Sequence, residues 1–143
     1  MSRSQAKEYP LEFFKGIKKA LQGQITVEVD GQKQTFPVIR AEVRANDIVL
    51  NFDMSGGNPN RNDIIGLVFG KAHLNKKVEF VAPGSPVYLL FQDPGQEWLA
   101  AKGWIRMEWQ EGSKTIAGLL DNVQGDREGN SKLTGGKFEV TLD

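Results

Sequence analysis

Cysteine is absent from the 143-residue chain. That removes disulfide frameworks, thiolate metal sites and cysteine nucleophiles together. Histidine occurs once, as His73, so a multi-histidine metal centre cannot be built, and without cysteine a Cys–His couple is impossible. Excess charge is missing too: 18 basic side chains balance 18 acidic ones, whereas a domain that grips duplex nucleic acid usually carries a basic surplus. No run approaches the roughly 18 apolar residues that a helical membrane span requires. The opening residues lead into a charged amphipathic stretch with no apolar leader core, and the expected location is cytoplasmic.

Hydrophobic residues make up 39% and charged residues 25% of the chain, near the globular average, and the length suits one domain spanning 1–143. The fold class this predicts is mainly β: an antiparallel barrel or sandwich of about eight strands, preceded by an N-terminal amphipathic helix.

The helix is expected over 10–22. Pro10 suits a first helical position, Leu11, Phe14, Ile17 and Leu21 recur at helical spacing with Phe13 widening the stripe, and Gly23 supplies a stop. Such a stripe could bind a partner's groove or a membrane surface, but it more commonly covers a sheet or closes a barrel of its own chain. From residue 24 the period becomes two. Ile25, Val27 and Val29 alternate with polar residues up to Asp30-Gly31, a type I′ hairpin signal. In the next strand, about 34 to 44, Pro37 interrupts the run and the apolar parity slips, which predicts a bulge or an edge. Ile48, Leu50, Phe52 and Met54 then alternate cleanly, and 55–63 reads as a loop. The run from Ile64 fits both a helical period and a buried strand, with its glycines favouring strand. Further strands are expected at about 76 to 82, 86 to 92, 96 to 110 and 114 to 123, with a loop at 124–136 and a closing strand through Phe138, Val140 and Leu142.

The segment 96–110 carries the candidate site. Its odd positions, Leu99 to Trp109, read as a core face, and its even positions set Trp98 and Trp104 among Lys102 and Arg106. Indole rings beside cations can hold a planar or anionic ligand, or anchor a protein partner. The plainer reading is a solvated sheet face with cations lying over the rings.

Other constellations are weaker. No Gly-x-Ser-x-Gly elbow accompanies His73, which reads as a surface residue near Lys71 and Lys76. Asp126-Arg127-Glu128-Gly129-Asn130 lacks calcium-loop spacing. Gly56-Gly57 and Gly135-Gly136 match no phosphate-binding loop and read as turns. The strand train is similar in outline to lipocalin-like barrels, but their first-strand Gly-x-Trp element is missing, since no tryptophan precedes Trp98.

The sequence therefore predicts a non-enzymatic binding or assembly module that uses Trp98, Lys102, Trp104 and Arg106, with no cofactor and no metal. Its partners would be a protein, a second copy or a small ligand. The alternatives are a structural subunit of a homo-oligomer or phage-like particle, and an enzyme working with carboxylates alone.

Overall fold

A computed structural model of the chain describes residues 22–53, 63–81 and 85–142. The expected helix at 10–21 and the loop residues 54–62 lie outside the described residues. Gln22 and Gly23, read as the helix end and stop, instead open the first strand. Among the described residues there is no α-helix; apart from one 3-10 turn at Lys71–His73, the regular structure is strand.

Ten strands form one antiparallel, curled, half-barrel sheet. In chain order they are β1 Gln22–Val29, β2 Gln32–Val43, β3 Asp47–Asp53, β4 Ile64–Gly70, β5 Lys77–Glu79, β6 Val87–Asp93, β7 Gln96–Leu99, β8 Lys102–Glu108, β9 Thr115–Gln124 and β10 Leu133–Thr141. Across the sheet the order is β5-β8-β9-β10-β1-β2-β3-β4-β6-β7. The 64–70 segment is thus a strand. β5 is shorter than expected, and Gly135-Gly136 lies inside β10 rather than in a turn.

Alternation drives the curl. Ile25 and Val27, Ile48 and Leu50, Ile65 and Leu67, and Val87 and Leu89 all point inward and are buried. Phe36, Phe52, Phe69, Phe91 and Phe138 fill the centre, and Phe52 meets Phe138 with ring centroids 5.9 Å apart. The concave side is therefore a packed core, not a lumen. Asp30 and Gly31 both adopt positive φ (52° and 85°), as the turn between β1 and β2 requires.

β2 bends and the chain breaks between β7 and β8 so that the sheet wraps. β2 pairs with β1 through its first half and with β3 through its second, and its register shifts between Val38 and Arg40, at the predicted parity slip after Pro37. The 96–110 segment departs from expectation. It is not one strand but two: β7 pairs with β6 at one end of the sheet, and β8 pairs with β5 and β9 at the other. Between them the Ala100 N–H donates to the Leu89 carbonyl and the Ala101 N–H to the Gln124 carbonyl. The chain thereby steps from one sheet end to the other.

Candidate functional site

Parity along 96–110 reverses across the break, where Ala100 pairs with β6 and Ala101 with β9. Gly103 has φ of +94° opposite Asn122, itself at +55°, and the register of β8 against β9 slips between Lys102 and Trp104. The extra residue of this β-bulge is on β9, where Asn122 and Val123 oppose Gly103. Along 96–110 the parity changes across the step from β7 to β8, with even positions facing inward before it and odd positions after it. Trp98 and Ala100 are buried on one side of the break; Ile105, Met107 and Trp109 are buried on the other.

The residues singled out from the sequence are accordingly separated. Trp98 is only 6% exposed. Its ring stacks on Phe91 at 5.2 Å, and its indole N–H donates to the Gln96 side-chain carbonyl at 2.7 Å. Lys102 is exposed beside the bulge, while Trp104 and Arg106 lie on the convex face of β8. There the Lys77 ammonium sits 5.0 Å above the Trp104 ring, Arg106 pairs with Glu108, and Lys77 is 3.9 Å from Glu79. Trp104 and a cation do meet, but Lys77 and Arg106 each already have a neighbour of opposite sign.

A different set of side chains converges on a groove of about 760 Å³ along β7. Tyr88, Leu99 and Val81 are 51%, 55% and 54% exposed and give it an apolar wall. The opposite wall is the 125–131 loop, with Arg127 and Asn130. Gln96 fastens that loop to β7: its side-chain carbonyl accepts from the Ser131 N–H at 2.8 Å, and its amide donates to the Ser131 hydroxyl at 2.8 Å. Within the loop, the Arg127 N–H donates to the Asn130 side chain at 3.1 Å. Val81 is tied to Ser85, whose hydroxyl accepts from the Val81 N–H at 2.7 Å.

The sequence reading missed this groove because Tyr88 and Leu99 look like core residues in their strands. Leu99 is displaced outward by the parity reversal. Tyr88 sits in the outward register of β6, where alternation with buried Val87 and Leu89 was the available signal.

His73 lies in the 3-10 turn and is not buried. Among the described residues no group of three or more His, Asp or Glu side chains is placed to hold a metal ion. Arg44 and Asp47 shift each other's ionisation. Hydrogen bonds from the Arg44 guanidinium hold the Asp47 carboxyl below its usual range and raise Arg44 in return. The two contacts measure 2.7 and 3.0 Å and brace the turn into β3. No described helix is long and apolar enough to cross a membrane.

What fold and groove define is an antiparallel, barrel-like β protein with an open apolar cleft beside an edge strand. Comparison with protein-family models, curated proteins and solved structures finds no match.

Proposed function

We propose that the chain is a non-enzymatic binding module that takes an extended, partly apolar segment of a protein partner into the groove beside β7. The observation that carries this reading is the convergence of Tyr88, Leu99 and Val81, each more than half exposed, on one groove. Large apolar side chains gathered at one concave place mark recognition surfaces more often than scattered ones do. β7 is the last strand of the sheet, so its outward backbone groups can pair with an added strand, while Tyr88 and Leu99 take the partner's apolar side chains. Arg127 at the rim supplies charge for orientation.

Selection of a displayed peptide library against the full chain tests the reading. Enriched peptides are expected to lose affinity about thirtyfold on Tyr88→Ala, corresponding to ~2 kcal/mol for a hot-spot side chain. Leu99→Asp should abolish binding, and Trp104→Ala should leave it unchanged. Failure to enrich any peptide, or peptides that bind the Leu99→Asp protein equally well, overturns it.

The edge position of β7 also supports a second reading, assembly with another copy through the same strand. Light scattering would then give a dimer that Leu99→Asp returns to monomer.

A further inference from the structure

The groove beside β7 offers backbone groups and charge as well as an apolar wall, and together they restrict what can enter it. In the pairing of β7 with β6, Leu99 faces Leu90, Trp98 faces Phe91 and Glu97 faces Gln92. One step further, the Ala100 N–H donates to the Leu89 carbonyl. Bonded and non-bonded pairs alternate along an antiparallel ladder, so Trp98 and Gln96 turn their backbone groups toward β6 as Ala100 does. Glu97 and Leu99 turn theirs to the outer edge, where neither has a backbone partner among the described residues. Two sets of donor and acceptor thus stand ~7 Å apart, the rise of two strand residues.

The open stretch is short because both its ends are tied. At one end the Ala101 N–H is held by the Gln124 carbonyl. At the other, Gln96 holds Ser131 through its side-chain amide.

Pairing along Glu97 to Leu99 assigns a side chain to each place in an incoming strand. Glu97 and Leu99 share the exposed face, while Trp98 between them is buried on the other. A residue beside Leu99 meets the apolar wall that Leu99 and Tyr88 form, so it is apolar. The residue next to it lies level with Trp98 and points to the closed side. There Gly125 is packed so tightly that a Cβ on it would come 3.0 Å from the Trp98 Cβ and strike the Asn130 side-chain oxygen. Only a small residue fits.

Charge decides the third place, beside Glu97. This carboxylate is exposed and enters no ion pair among the described residues, whereas Glu79 pairs with Lys77 and Glu108 with Arg106. The charged side chains lining the groove are Glu97, Asp126 and Arg127, two acids to one base. A carboxylate at a cross-strand position favours a cation opposite and opposes a second acid.

We propose, resting on the peptide-binding reading above, that the groove selects extended segments in which Lys or Arg stands two residues from a large apolar side chain, with Gly, Ala or Ser between them. Either chain direction keeps that spacing.

Panning one displayed random peptide library on three full-length chains tests this: the unaltered protein, Glu97→Lys, and Glu139→Lys, which reverses an exposed acid on β10 outside the groove. Peptides enriched on the unaltered chain should share the apolar–small–basic spacing and bind Glu97→Lys about tenfold more weakly. Glu97→Lys should itself enrich Asp or Glu at the basic place, and Glu139→Lys should reproduce the unaltered pattern. N-methylation of the peptide's apolar residue, which removes its bond to Leu99, should abolish binding. Peptides that are lost on Leu99→Asp yet show no basic residue at this spacing, or the same residues there on the unaltered and Glu97→Lys chains, overturn the proposal and leave the binding-module reading standing. Undiminished affinity after N-methylation also overturns it. Failure to enrich any peptide overturns both.

Discussion

Trp98 and Trp104 lie six residues apart, and their burial sets opposite expectations for the same substitution. Trp98 stacks on Phe91 inside the sheet, so Trp98→Ala should cost ~3–5 kcal/mol of unfolding free energy, the range for a large core aromatic. Trp104→Ala removes a ring under an exposed lysine and should cost less than ~1 kcal/mol. Urea titration of both variants checks the contrast; equal losses would mean that the parity reversal is misplaced. Gly103 lies just past that reversal, opposite the bulge in β9. At φ of +94° any side chain is strained by on the order of 1–3 kcal/mol, and a Cβ would also strike the Asn122 carbonyl. Gly103→Ala should therefore lower the urea midpoint by more than the backbone conformation alone predicts.

At the scale of elements, Gln96 joins three parts: the β6–β7 hairpin through Asp93, the Trp98 indole, and the 125–131 loop through Ser131. Gln96→Ala leaves the indole N–H and the Ser131 amide without this acceptor, at ~1–3 kcal/mol for each group that stays buried and unpaired. Hydrogen exchange should then speed up at Ser131 and through the loop before it does in β9. The turn into β3 is expected to respond to acid. Because the folded Asp47 carboxyl titrates below its ordinary value, the stability contributed by its pair with Arg44 is present above the unfolded value and is lost as pH falls through the depressed one. An NMR titration of Asp47 should show the low value, and Arg44→Gln should restore the ordinary range. Some elements were legible in advance because one local signal determined each. Asp30-Gly31 required positive φ, Pro37 and the parity slip marked a bulge, and the glycines at 66 and 70 opposed a helix. The break at Ala100–Ala101 had no such signal, because two alanines suit a strand as well as a bend. What divides that segment is long-range pairing, Ala100 with β6 and Ala101 with β9. With the break went the premise that Trp98, Lys102, Trp104 and Arg106 share one face.

Taken whole, the molecule relies on pairings between distant parts of the chain. β1 lies between β2, its sequence neighbour, and β10, more than 100 residues further along the chain. Folding dominated by such pairings should be slow, on the order of milliseconds to seconds, and stopped-flow refolding measures it directly. The position of β1 also matters on the ribosome. Gln22 finds Thr141 only once β10 has left the exit tunnel, so β1 emerges long before the partner on that side is made. Nascent chains stalled before Leu133 would present that side to any extended polypeptide nearby, and there a holdase chaperone would do most to prevent illicit pairing.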